Sequence, residues 1–218
     1  MKKIEFSQSK PGFNIENCYS KARYSAYTSM AMYYYDIELS EAFYPALRTL
    51  EIVLRNSLWN AITNTIDCRN WLTDGSILRE QEQKIVLETQ DKINSGHPNR
   101  AHEIDHLISE LNFGFWNNLL NVRYEQIFWP RCLKSFVPYV PRRYRYRKFI
   151  HKRLQKIRNL RNRIFHHQRI SHMHGIDQQH QEILEVIGWI EPKILEHLKR
   201  IDRFQSVYQK ELTNLDME

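Results

Sequence analysis

Residues 40–66 read SEAFYPALRTLEIVLRNSLWNAITNTI. Phe43, Leu47, Leu50, Leu54 and Leu58 recur in steps of three and four, which puts them on one face of a helix that Ser40 and Glu41 open. The spacing predicts a long amphipathic helix ending near Ile66. A similar period runs from Ile77 to Ile93, over residues 101–111, and from Phe113 to about Val122. It returns in Phe149, Ile150, Leu154, Ile157, Leu160 and Ile164, and again in Ile183, Leu184, Ile187, Ile190, Ile194, Leu198 and Ile201. Upstream, a first helix is expected from Asn14 to about Tyr35, entered after Pro11-Gly12 and leading through the Tyr33-Tyr34-Tyr35 cluster to Asp36. Asp74-Gly75-Ser76 and the polar stretch 94–99 mark breaks. Pro138 and Pro141 isolate a helix that starts near Arg142 or Arg143, and Pro192 is expected to kink a last helix running from about Gln178 to Phe204 or beyond. No stretch alternates long enough with a period of two to be a strand, so the fold class is all-α, a helical bundle with strands absent or minimal.

Composition agrees. The 218 residues hold only 6 Gly and 7 Pro, with 42% apolar and 26% charged residues, a balance suited to long helices rather than a sandwich with a turn every ten residues. One domain is expected, with residues 1–14 and 205–218 as tails. Cys18, Cys68 and Cys132 lie far apart without a Cys-x-x-Cys pair, so neither a disulfide framework nor a zinc site is suggested. His172-Met173-His174, with His166 and His167 near, invites a metal reading, but no Cys or carboxylate lies close in sequence and none is assigned. No apolar run reaches the roughly 18 residues of a membrane span. The expected compartment is the cytoplasm, with no cofactor.

The charge is segregated. Residues 126–176 contain fourteen Lys/Arg and no Asp or Glu, which leaves eighteen Lys/Arg to face all 25 acids elsewhere. A run of +14 on a body of −7 points to a polyanion, and nucleic acid is the common one. The plain alternative is a solvated basic helix. Within the run, Arg142, Arg143, Arg145, Arg147, Lys148, Lys152 and Arg153, interleaved with Tyr144 and Tyr146, suit RNA binding through phosphate contacts and base stacking. The tyrosines read equally as core-facing.

The run ends in Arg161-Asn162-Arg163-Ile164-Phe165-His166-His167. On a helix Arg158, Asn162 and His166 share a face, with Arg163 behind His167. Arg161 and His166 stand about 140° apart, so one helix aims both at one atom only if it unwinds near His166. A second copy across a two-fold axis would instead pool two Arg and two His in one cleft. Taken alone, His166 reads equally as a helix-terminal cap.

Arg161 to His166 resembles the Arg-x(4–6)-His motif of the HEPN superfamily, and Leu160 to His167 is similar to the signature of its Abi-like, abortive-infection branch. Further similarity lies in Leu50-Glu51-Ile52-Val53-Leu54-Arg55-Asn56, in Asn112-Phe113-Gly114-Phe115-Trp116, and in Tyr124-Glu125 with Phe128-Trp129, so that it spans roughly residues 15–200. The resemblance implies a HEPN-like helical bundle with additional helices. It also implies dimerisation around the motif and, in active members, RNA cleavage without metal by a toxic effector of bacterial phage defence. His166 would be the general acid or base, Arg161 the phosphate stabiliser and Asn162 the orienting group. Arg158, Arg163 and His167 are expected in support. Glu51 is expected to pack near His166 and fix its tautomer, although with Arg55 it reads equally as an intrahelical ion pair. The expected products are a 2′,3′-cyclic phosphate and a 5′-hydroxyl. Expected partners are RNA as substrate or inhibitor, a second copy of the chain, and an antitoxin; the alternative function is a non-catalytic RNA-binding module.

Overall fold

Ser29 starts the long helix. Its backbone is extended, its side chain accepts from the Met32 N–H at 3.2 Å, and α1 (Met30–Ile66) follows without interruption for 37 residues, about 55 Å at 1.5 Å per residue. The computed structural model describes residues 20, 25–27, 29–96 and 104–215, excluding the side chains of 211–215. The expected break between Tyr35 and Ser40 is therefore absent, while the part of the expected first helix at 14–19 and the expected tail at 1–14 lie outside the described residues. Pro45 sits inside α1, where it removes the N–H that would reach the Glu41 carbonyl; fully buried Leu39, Phe43, Ala46, Leu50, Leu54 and Leu58 on one face hold the helix against that loss.

The remaining helices are α2 (Glu80–Gly96), α3 (Ile104–Glu110), α4 (Phe113–Asn118), α5 (Trp129–Phe136), α6 (Arg147–Phe165), α7 (Ile176–Ile190), α8 (Pro192–Leu198) and α9 (Phe204–Leu215), with single 3₁₀ turns at Val122–Tyr124 and Arg142–Tyr144. Among the described residues there is no strand, and the protein is all-α. Nor is any helix among them long and apolar enough to cross a membrane. The long helix is the hub: α3, α4, α5, α7, α8 and α9 all pack on it, while α6 is gripped between α4 and α7.

Two expectations need correction at the C-terminal end. Pro192 does not kink one helix but separates two, because the residue before a proline is driven out of helical backbone; Glu191 is extended (φ −152°, ψ 103°) and its carboxylate accepts from the Lys193 N–H to cap α8. Residues 205–215, expected as tail, form most of α9, anchored by buried Phe204 and Val207. The basic helix also starts later than expected, at Arg147, with residues 142–144 in a 3₁₀ turn.

Candidate functional site

Helix α6 carries the Arg-to-His motif at its end. Ile150, Leu154, Ile157 and Leu160 are at most 1% exposed and fix its orientation, which leaves the polar row to face outward. The helix stops inside the motif. His166 is the C-cap, with its N–H on the Asn162 carbonyl at 2.9 Å; the His167 N–H reaches the Ile164 carbonyl at 3.0 Å and the Gln168 N–H the Arg163 carbonyl at 2.8 Å. That pattern is a Schellman ending, in which the residue after the cap takes left-handed backbone; here it is His167 at φ 54° instead of the usual glycine. The bond to Asn162 keeps His166 in the helical register, one turn beyond Asn162, and the chain leaves that register only from His167; both histidines are exposed.

The motif's other members face a small cavity of about 190 Å³ lined by Asn112, Phe113, Gly114, Arg158, Arg161 and Asn162. Arg158 donates to Asn118 Oδ1 at 3.4 Å and lies so close over Gly114 that a Cβ there would sit 2.9 Å from its Nη2. Asn112 caps α4 by accepting from the Phe115 N–H at 3.0 Å. Phe113, Phe115 and Trp116 are buried, as a core segment should be, but Asn112 and Gly114 between and before them form a wall of the cavity. Sequence reading missed that role because only the glycine's missing side chain hints at a close approach.

Arg161 is held from two sides. Its guanidinium carbon lies 4.3 Å from the Phe165 ring centroid, and its Nη2 is 3.6 Å from Glu51 Oε2 on α1. Among the described residues Glu51 thus pairs with Arg161 rather than with His166, and Arg55 donates instead to the Ser109 carbonyl at 3.0 Å. Arg163 turns back to the Arg169 carbonyl at 3.0 Å and braces the turn. The segment beyond it is clamped by a residue that the sequence did not flag: Asp36, only 5% exposed, accepts from the N–H groups of Ile170 and Ser171 at 2.9 and 2.7 Å and from the Tyr27 hydroxyl at 3.0 Å.

The acid-free run proves to be partly compensated from outside. Arg147 is buried, donating to the Leu120 carbonyl at 2.6 Å and to Glu125 at 3.0 Å, so it is a structural arginine and not a surface contact for RNA. Arg153 pairs with Glu185 at 2.8 Å and packs over Phe149 and Trp189, and Lys156 pairs with Glu182 at 3.0 Å. Arg145 donates to the carbonyls of Pro138 and Val140 at 3.3 and 3.0 Å. Arg142, Arg143, Lys148 and Lys152 remain exposed. Tyr144 stacks on Phe149 at 4.6 Å, whereas Tyr146 is exposed, so the two tyrosines divide between inward and outward roles. On the same helix, burial and the charge of Arg147 push the His151 imidazole below its ordinary range.

No family model, curated protein or solved structure matches this chain. Chemically, the arrangement offers the guanidiniums of Arg158 and Arg161 and the amides of Asn112 and Asn162 around a space of about 190 Å³. A solvent-facing imidazole follows within one residue of the helix end. Such donors suit an oxyanion of phosphate size, and an imidazole can exchange a proton with a group attached to it.

Proposed function

We propose that this protein is a metal-independent RNA endonuclease of HEPN type, acting as a toxic effector in bacterial phage defence. The observation that carries the reading is the exposed His166 at the end of α6, one turn beyond Asn162, which lines a cationic cavity together with Arg158 and Arg161. The similarity of Leu160 to His167 to the Abi-like signature supports the same chemistry. Arg161 binds the scissile phosphate and offsets the charge that grows on its non-bridging oxygens. His166 takes the proton of the 2′-hydroxyl, whose oxygen attacks phosphorus; the 5′-oxygen leaves with a proton, giving a 2′,3′-cyclic phosphate and a 5′-hydroxyl. The protonated His166 of a second copy is placed to supply that proton if two α6 ends meet at a two-fold axis. Asn162 orients the phosphate. Arg142, Arg143, Lys148 and Lys152 draw the RNA strand in, and an inhibitory RNA or an acidic antitoxin restrains the site by covering the same face.

Purified protein incubated with tRNA in EDTA tests this. Cleavage with cyclic-phosphate ends is expected, falling by roughly a hundredfold or more in His166→Ala and in Arg161→Ala while circular dichroism stays unchanged. Undiminished cleavage in either variant, or a requirement for divalent metal, overturns it. The exposed cations favour a second reading, a non-catalytic RNA-binding module, which predicts salt-dependent binding with no products and a larger loss in Arg143→Ala than in His166→Ala.

A further inference from the structure

Phe165 has two surroundings. Toward Arg161 it receives the guanidinium, and it also lines a separate cavity of about 590 Å³ between the end of α6 and α1. That volume falls within the roughly 300–1,000 Å³ of small-ligand sites. Its walls are largely aromatic: Tyr44 pairs with Phe165 at 6.3 Å between centroids, and Tyr27 meets Tyr33 edge to face at 5.1 Å. Tyr44 and Phe165 are 47% and 42% exposed, so these rings present π surface to an incoming group instead of being spent on the core. The left-handed turn at His167 places that residue in the lining as well.

The polar groups give the cavity a direction. Asp36 lies in its wall but both carboxylate oxygens are occupied, by Ile170 and Ser171 on one side and Tyr27 on the other. Glu41 is different: its side chain is 63% exposed and, among the described residues, pairs with the similarly solvent-facing Arg203, an interaction of the kind that exchanges readily for a better partner. An ionised carboxylate accepts hydrogen bonds and donates none. Flat aromatic walls beside such a group match a base that offers two adjacent donors, as guanine does with N1–H and N2–H.

Resting on the nuclease reading, we infer that the cavity holds the unpaired base next to the cleaved phosphate, stacked on Tyr44 and Phe165, with the two oxygens of Glu41 selecting guanine through its adjacent N1–H and N2–H. The site would then read sequence, with Phe165 joining base recognition to the arginine that binds the phosphate.

The test titrates the full-length protein with GMP, AMP, CMP and UMP, following aromatic NMR signals, and in parallel maps the base beside each cut in tRNA. The monophosphates share a phosphate, so differences among them report the base. GMP is expected to bind several-fold more tightly than AMP, CMP or UMP. Tyr44→Ala is expected to weaken GMP binding by roughly tenfold through lost stacking. Glu41→Gln, a change at an exposed carboxylate that leaves the fold intact, is expected to erase the preference in both binding and cleavage. If wild-type protein cleaves but its base preference and nucleotide affinities are unchanged in both variants, the base pocket is overturned and the nuclease stands. If binding depends on Tyr44 and Glu41 but no RNA is cut, the pocket stands and the nuclease falls.

Discussion

Arg161 is paired with Glu51, so in the proposed nuclease the carboxylate would compete with the phosphate for one guanidinium. Arg161 and Glu51 are 27% and 26% exposed, so water screens their attraction, and a partly exposed pair at 3.6 Å is worth about 1 kcal/mol or less. Glu51→Gln is therefore expected to leave stability nearly unchanged while tightening RNA binding by up to roughly fivefold, measured by fluorescence anisotropy. Weaker binding would instead make Glu51 an organiser of Arg161. Gly114 sets the other wall. An added Cβ would lie 2.9 Å from Arg158 Nη2 and 3.0 Å from Asn112 Oδ1. The flexible end of Arg158 can yield, and alanine gains roughly 0.5–1 kcal/mol over glycine within a helix, so Gly114→Ala should fold well yet lose RNA affinity because the guanidinium has been displaced. Unaltered affinity together with unaltered stability would show that the cavity beside Arg158 takes no part in binding.

The basic helix and its approach contain cations with opposite duties. Arg147→Ala strands the Leu120 carbonyl and breaks the Glu125 pair, at an expected cost of about 2–3 kcal/mol in urea denaturation. Its neighbour Lys148 is exposed; Lys148→Ala should change stability by less than about 0.5 kcal/mol but lower the slope of log affinity against log salt by about one. If both variants behaved alike, the proposed division of the helix into a core face and an RNA face would be wrong. This division was not legible in the run itself, since its compensating acids, Glu51, Glu125, Glu182 and Glu185, lie outside it in sequence. The apolar spacing from Phe43 to Leu58 did reveal the central helix. Its beginning stayed hidden because Asp36 is buried for the sake of two distant N–H groups, contrary to any amphipathic pattern, while Ile37 beside it is 48% exposed. The motif's residues were visible in sequence, but the helix does not unwind at His166, which keeps its bond to Asn162; the left-handed residue is His167, where a histidine gives none of the signal that a glycine would.

At the scale of the whole molecule, one acid–imidazole contact ties the last helix to the bundle. His180 of α7 stacks on Phe204 at 4.1 Å and meets Phe43 of α1 edge to face at 5.4 Å, while its Nε2 lies 3.2 Å from Asp202 Oδ2 just before α9. Burial alone would raise the Asp202 pKa, but the His180 imidazole and the Phe204 N–H, at 3.1 Å, outweigh it and hold the carboxyl below the usual aspartate value. A carboxyl whose folded pKa is depressed binds its proton more readily in the unfolded chain. Its contribution is therefore complete above the unfolded value of about 3.9 and disappears as pH falls through the lower folded value. Asp202→Asn is expected to cost about 1–2 kcal/mol at pH 7, seen as a lower urea midpoint. That difference should shrink steadily below about pH 4 as the wild-type carboxylate is protonated. A gap that stays constant from neutral to acid pH would show that Asp202 acts through shape or neutral hydrogen bonding, and that its charge does not fasten α9 to the core.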